Sequence, residues 1–483
     1  MKKFTAFTER GVDLISYPTY EEMMQRKNEI IQRSLNIDFN QFKRGTIAFD
    51  YEGMMTQAGY SMDDIIQIQR QSHVGNTPLL ELKNLTELIR RISPKGKGAT
   101  IVIKDEAANP SGSFKDRRAS LAVHEAKRNG FAGVIAATSG NYGAAVASQA
   151  AKKGLKCIVL QETYDSRGFG QPEILEKGRK CEALGAEVIQ LSVGPELFYM
   201  ALLLLDQTHY FNASLYSPYA IAGVETLGHE IAQQVEEHFG REPAAVCVTH
   251  AGGGNVTGTA RGLQKFGCRH TEMIGVSVDL SGLHMASDRD FNRKSFTTGH
   301  TGFSVPFTVD PDRSDVPRNA ARPLRYLDRF VTVTQGEVFY ATELLAKLEG
   351  LERGPAGNTS LAAALVLAQN MDQDEILVVQ ETEYTGAGKH PISQLNFAKK
   401  HGIKVINGSP EANLPGTCIA IPEHIQQLRV SDIDLDRLRK SYLNSVLKNV
   451  DVQKLDEQDR RFLSEEINKD ETYIQSYLAS NSQ

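Results

Sequence analysis

The sequence predicts an α/β chain with mostly parallel sheets wrapped by helices on both faces. Three observations carry this. From about residue 99, short β-rich runs alternate with segments of 3.6-residue apolar periodicity, the pattern of strand–crossover–strand units. Several helical segments end in a glycine stop, at Asn129-Gly130, Lys153-Gly154 and Leu184-Gly185. The length of 483 residues and a hydrophobic fraction of 41% suit a large core divided over two or more lobes.

In chain order, residues 1 to about 72 are polar and helix-leaning, with one clear helix candidate from Tyr20 to Leu35. Strand-like runs then follow at Thr100 to Ile103, Val134 to Ala137, Cys157 to Leu160, Val188 to Leu191, Ala245 to Val248, Met273 to Val278 and Ile376 to Val379. Right-handed crossovers should connect them. From about residue 424 both charges are dense, as in Asp434-Leu435-Asp436-Arg437-Leu438-Arg439-Lys440. Interspersed charge of this kind reads as a solvated helix, with a partner-subunit surface as the alternative.

Composition excludes several function classes. A net charge of −5 without a basic block leaves no nucleic-acid footprint. The N-terminus lacks an apolar signal core. The longest apolar patch, Phe198 to Leu205, falls short of the roughly 18 residues that span a bilayer, so no membrane role and a cytosolic location are expected. The cysteines, Cys157, Cys181, Cys247, Cys268 and Cys418, form no Cys-x-x-Cys pair, and His-Glu-x-x-His is absent. No metal site is expected.

Three strand–turn–helix segments carry chemistry. The first is Asn109-Pro110-Ser111-Gly112-Ser113-Phe114-Lys115-Asp116-Arg117-Arg118. A lysine at the mouth of such a turn can form a Schiff base with an aldehyde once burial or a cationic neighbour lowers its pKa. A solvated lysine at a helix start is the plainer reading of this segment alone. The second is Cys247-Val248-Thr249-His250-Ala251-Gly252-Gly253-Gly254-Asn255, where glycine N–H groups and a helix N-terminus suit a phosphate. A dinucleotide fingerprint competes here: Gly252 and Gly254 fit it and Asp279 is placed for a ribose, but Thr257 stands where the third glycine belongs. The third is Thr138-Ser139-Gly140-Asn141-Tyr142-Gly143, whose small residues and first-turn N–H groups suit a carboxylate.

A reactive lysine, a phosphate cradle and a carboxylate turn, all at strand ends, describe pyridoxal 5′-phosphate acting on an amino acid. Together with Gly75-Asn76-Thr77-Pro78-Leu79, the motifs Ser113-Phe114-Lys115-Asp116-Arg117, Thr138-Ser139-Gly140-Asn141 and Gly252-Gly253-Gly254-Asn255 resemble, in order, those of the fold type II, or tryptophan synthase β, family. The resemblance spans roughly residues 70 to 420. It implies two doubly wound domains: a large cofactor domain from 73–118 and 225–423, and a small one from 119–224. A helical extension (1–72) and a charged helical tail (424–483) flank them.

The resemblance also implies roles. Lys115 would hold the cofactor and move protons. Asn141 would bond its ring hydroxyl. Ala251, Gly252, Gly253, Gly254 and Asn255 would take its phosphate. Thr138, Ser139, Gly140 and Asn141 would bind the substrate carboxylate. Thr385 is the choice for the hydroxyl facing the pyridine nitrogen, with Thr382 second and Glu381 a rival that would change the ring's protonation. Tyr164, Arg167, Tyr384 and Lys389 are candidates for the substrate side chain. Within the family the pattern resembles the β subunits of thiolases that cleave 2-amino-4-oxopentanoate in ornithine fermentation. This implies coenzyme A as co-substrate, a small α subunit as partner and a homodimeric core. A threonine synthase-like or ammonia-eliminating enzyme with the same cofactor is the alternative. A nicotinamide dehydrogenase or a silent binding subunit is the third reading.

Overall fold

The computed structural model describes residues 6–8, 11–13, 17–138, 140–164, 168–170, 172–192, 196–280, 308–313, 318–384 and 391–480. The strands among them are β1 (Ala6–Thr8), β2 (Gly11–Asp13), β3 (Leu79–Glu81), β4 (Thr100–Asp105), β5 (Gly133–Thr138), β6 (Lys156–Tyr164), β7 (Glu187–Ser192) and β8 (Phe211–Asn212). They continue with β9 (Ala245–Thr249), β10 (Glu272–Val278), β11 (Arg329–Val333), β12 (Ile376–Glu381), β13 (Lys404–Asn407), β14 (Cys418–Ile421) and β15 (Ser431–Asp432).

Two sheets organise the molecule. The larger runs β15-β11-β10-β9-β12-β4-β3. Its interior is parallel and its edge strands β15 and β3 are antiparallel. The smaller runs β7-β6-β5-β8 and is parallel throughout. Every residue of β4 and β12 is buried. That is why these strands read as unbroken apolar runs: helices cover both faces of a parallel sheet. All the strands read from the sequence are present, as β4, β5, β6, β7, β9, β10 and β12. The helices Pro218–Phe239 and Gly254–Phe266 cross closely because Gly262 and Gly228 face backbone; a Cβ on Gly262 would collide with the carbonyl of Glu225.

Two expectations needed correction. The helix expected from Tyr20 to Leu35 is broken into Tyr20–Gln25 and Lys27–Leu35. Between them Arg26 turns to pair with Asp206 at 2.8 Å, on the helix Glu196–Thr208 that covers the small sheet. The C-terminal segment is not a merely solvated helix. Its helices Leu435–Leu447, Glu457–Ile467 and Glu471–Ser480 bury Leu443, Leu463, Ile467 and Ile474 in the same core as Met23 and Ile30 of the N-terminal region. The Asp459 carboxylate accepts the N–H groups of Ile47 and Ala48, each at 2.8 Å.

Glu466, 3% exposed, bonds Arg325 at 2.6 Å and Tyr442 at 2.5 Å, and lies 3.3 Å from Arg322. Replacing it with glutamine keeps the shape but leaves two buried guanidinium groups with a neutral neighbour. The expected loss, read from urea unfolding, is about 1.5–3 kcal/mol. A neutral result would mean that solvent screens the cluster.

Candidate functional site

The three chemical turns sit at the C-terminal ends of the parallel strands, where ligands bind in open α/β sheets. The first follows β4. A short 3-10 segment, Glu106–Ala108, leads to Lys115, the first residue of the helix Lys115–Arg128. The backbone before the lysine is laced to the end of β12. Phe114 N–H donates to the Thr382 carbonyl at 3.0 Å, and Tyr384 N–H donates to the Gly112 carbonyl at 2.7 Å. Gly112 has φ +78°, and a Cβ there would collide with the Tyr384 carbonyl, so the turn requires glycine. Gly112→Ala should therefore weaken cofactor retention in dialysis, with the far-UV circular dichroism unchanged.

The Lys115 amine lies 4.7 Å over the Phe114 ring and makes no hydrogen bond or ion pair among the described residues. Burial, then the charges of Arg118 and Lys177, hold it well below the ordinary lysine range. A neutral amine is the nucleophilic form.

Arg117, the next arginine along, is 0% exposed and knits two motifs together. It grips the Glu106 carboxylate at 2.7 and 2.8 Å and reaches Glu230 at 2.8 and 3.1 Å. Thr77 of the Gly-Asn-Thr-Pro-Leu segment donates to Glu106 at 2.6 Å, and Asn76 N–H donates to Glu230 at 2.8 Å. Lys104 adds a 3.0 Å contact to Glu230. The first motif thus supports the site through Arg117.

In the second turn, Gly140 N–H donates to the Thr138 hydroxyl at 2.9 Å, so that amide is already engaged. Asn141 opens the helix Asn141–Lys153, and its Nδ2 donates to Glu383 at 3.1 Å. Its Oδ1 is buried without a partner among the described residues. Ser139 lies outside the described residues. Lys177, from the helix Pro172–Ala183, lies across Gly140: a Cβ there would fall 2.9 Å from its Nζ. It pairs with Glu173. Sequence reasoning missed Lys177, which sits in no motif.

In the third turn, Gly253 takes φ +82° and the helix Gly254–Phe266 starts behind it. The loop backs onto side chains that leave no room for a Cβ. A Cβ on Gly252 would collide with the Tyr216 hydroxyl, one on Gly253 would fall 2.6 Å from Pro323, and one on Gly254 would fall 2.7 Å from the Arg118 guanidinium. Asn255 Nδ2 is buried without a partner. Thr257, at the place of a third glycine, uses its hydroxyl to donate to the Gly253 carbonyl at 2.9 Å and to accept Arg322 N–H at 3.0 Å. Its side chain anchors the loop, a packing unlike the close approach that a dinucleotide fingerprint needs from glycine. Next to Ala251, His250 stacks on Phe330 at 4.8 Å, and burial pushes its pKa down to about 4, so it stays neutral.

At the end of β12, Glu381 is 0% exposed and its Oε2 has no partner. Burial, then the Glu383 charge, raise its carboxyl well above the usual range. Thr382 is buried beside it. Thr385, Arg167 and Lys389 lie outside the described residues. Tyr384 is exposed and Tyr164 half-buried. Burial lifts the thiols of Cys157 and Cys181 to about 12, which leaves neither as a ready nucleophile.

Among the described residues, the buried atoms without partners include several on or beside these turns: Arg118 Nε, Asn141 Oδ1, Asn255 Nδ2, Ser113 Oγ and Glu381 Oε2. Native folds pair nearly all such groups. A ligand bearing an aldehyde, a hydroxylated ring and a phosphate offers counterparts to the lysine, the amides and the glycine loop, so the residues fit pyridoxal phosphate.

Comparisons agree with this chemistry. The family described as pyridoxal-phosphate dependent enzymes matches residues 70–381. A "2-amino-4-ketopentanoate thiolase beta subunit" from an unidentified prokaryote is 62% identical over 460 residues, which cover 95% of this chain and 98% of that protein. A protein of the same name from Acetoanaerobium sticklandii is 59% identical with the same coverage. A threonine synthase from Bacillus sp. (strain ULM1) is 28% identical over 60% of this chain and 76% of its own.

Proposed function

The chain belongs to the pyridoxal-phosphate dependent enzymes, and from that premise we propose that it is the β subunit of a thiolase acting on 2-amino-4-oxopentanoate and coenzyme A. The products are acetyl-CoA and alanine. The observation that carries this reading is the 62% identity over 95% of the chain to a protein named for that activity. Threonine synthases match a smaller part, 60%, at 28%.

When bound, pyridoxal phosphate supplies an aldehyde for the substrate's amine and a ring that draws electron density from the adjoining carbons. The protein's residues do the rest. Lys115 Nζ holds the cofactor, then acts as the base that takes and returns protons at the substrate carbons. The amides of the Ala251–Asn255 loop hold the phosphate. Thr138, Ser139, Gly140 and Asn141 orient the carboxylate, and Asn141 also meets the ring hydroxyl. Thr385 is proposed opposite the ring nitrogen. Glu381 is the rival, supported by its raised carboxyl at the strand end and an Oε2 without a partner among the described residues.

The sulfur of coenzyme A bonds to the ketone carbon, the neighbouring carbon–carbon bond breaks, and its electron pair takes a proton to become the methyl group of alanine. Coenzyme A supplies the thiol itself, so no acyl-accepting cysteine is needed.

A small α subunit, a homodimeric core, a place in ornithine degradation and a cytosolic location complete the proposal, with the domain division given by the sequence. Among the described residues no helix is long and apolar enough to cross a membrane.

The test records the visible spectrum of the purified protein during titration. A band that shifts with 2-amino-4-oxopentanoate, and acetyl-CoA that forms only when coenzyme A and the partner are added, are expected. A shift with threonine or serine alone, without thiol dependence, would replace this reading with the synthase or lyase alternative.

A further inference from the structure

The helix that begins at Lys115 carries a charge that the described protein does not answer. Arg118 is 2% exposed. It meets no carboxylate among the described residues. Its hydrogen bond there is from Nη1 to the Leu215 carbonyl at 2.9 Å, and Nε has no partner. One flank rests on the Phe114 ring, 5.3 Å from the centroid. Its neighbour Arg117 is equally deep but spans two carboxylates. A buried cation without a counter-ion is costly to fold, so its presence asks for an explanation. Burial has already drawn the Arg118 pKa down to about 10.

The direction of the side chain supplies that explanation. Its Nη2 and Nη1 lie 2.7 and 2.9 Å from where a Cβ on Gly254 would be. The guanidinium therefore lies against the glycine loop at the start of the helix Gly254–Phe266. Asn255 contributes a second buried donor without a partner, Nδ2, at the same loop. Both side-chain donors lie at the first turn of the helix Gly254–Phe266, whose N-terminus, like each of them, favours an anion.

We propose that Arg118 binds the cofactor's phosphate directly, as the counter-cation that completes the glycine loop. This rests on the pyridoxal-phosphate reading of the site. The planar fork of a guanidinium matches two phosphate oxygens at once, which a backbone loop alone does not offer. The arrangement also couples the two ends of the site. Lys115 stands one helical turn from Arg118, and after burial the Arg118 charge is the first of those that lower its amine. A phosphate on Arg118 offsets that repulsion. Loading of the phosphate end therefore tunes the amine at the aldehyde end.

The experiment compares the wild-type protein with R118M and R118K in phosphate-free buffer. Each is titrated with pyridoxal 5′-phosphate and with pyridoxal, which has the aldehyde but no phosphate, by visible absorbance. The cofactor-free proteins are melted alongside. R118M is expected to weaken pyridoxal 5′-phosphate binding roughly 10- to 100-fold and pyridoxal binding by a clearly smaller factor, the smaller loss coming from the Arg118 charge that lowers the Lys115 amine. R118K should recover part of the loss. Cofactor-free R118M should melt no lower than wild type, because the substitution removes an unpaired buried charge. Equal weakening toward both aldehydes, or a lower melting temperature of cofactor-free R118M, would make Arg118 a structural residue and overturn the proposal. A change confined to coenzyme A binding would also overturn it, by assigning the cation to that molecule's phosphates. Failure of the wild-type chain to bind either aldehyde would be a different result, overturning the cofactor reading itself.

Discussion

Lys115→Ala is expected to abolish turnover, with a loss of at least about 10³-fold, while the protein stays folded. The lysine is the group proposed to hold the cofactor covalently and then to move protons, so two roles vanish together. Borohydride reduction of the wild-type holoprotein should leave a pyridoxyl group on the peptide containing Lys115, and Lys115→Ala should carry no label. Label on Lys104 or Lys177, the other deeply placed lysines, would sink the assignment. The pH dependence has a definite sign. Burial, then Arg118 and Lys177, hold the amine well below the ordinary value of 10.5. A larger fraction is therefore neutral at any pH below that value. Capture of the cofactor should persist at pH values where an ordinary lysine is fully protonated and inert.

The second large effect concerns stability. Arg117→Met should cost about 3–5 kcal/mol, because it removes the shared cation from two buried carboxylates. Glu106 is fully buried, and Glu230 keeps only Lys104 and the Asn76 N–H as strong partners. Urea unfolding of the cofactor-free protein measures this without interference from ligand binding. The network also has an acid limit. Burial alone would raise the Glu230 carboxyl, but Arg117 and Lys104 outweigh it and hold it well below 4.5. Its folded value is depressed, so its contribution is present above about pH 4.5 and is lost as pH falls toward the folded value. In Arg117→Met this acid-sensitive component should shrink. A variant as stable as wild type, with the same acid profile, would show that water reaches the carboxylates.

The parts of the fold legible in the sequence were those whose physics is local. Buried parallel strands such as β4 and β12 are apolar on both faces and announce themselves. β11 did not, because Arg329 and Thr332 break a short run whose Phe330 and Val331 are nevertheless buried. The tail was misread because its charges dominate the composition, while Leu443, Leu463, Ile467 and Ile474, spread over three helices, do the packing. The site divides in the same way. Lys115, Asn141 and the loop from Ala251 to Asn255 lie in contiguous motifs, and their chemistry follows from residue type and context. Glu106, Glu230 and Lys177 take part through partners that folding supplies; Lys104 and Glu230 are 126 positions apart. Arg118 stood in plain view beside the lysine, yet only the missing carboxylate distinguishes it from Arg117.

The contact between Pro323 and the glycine loop has a consequence for how the protein is made. Pro323 packs on Gly253, Arg322 N–H is tied to Thr257, and Arg322 and Arg325 are answered by Glu466 in the tail. During synthesis the loop is translated long before Glu466. Until that residue arrives, Arg322 has Asp312 as its acidic partner and Arg325 has none among the described residues. The glycine loop should therefore be braced only once Glu466 has been made, and cofactor loading should follow that step.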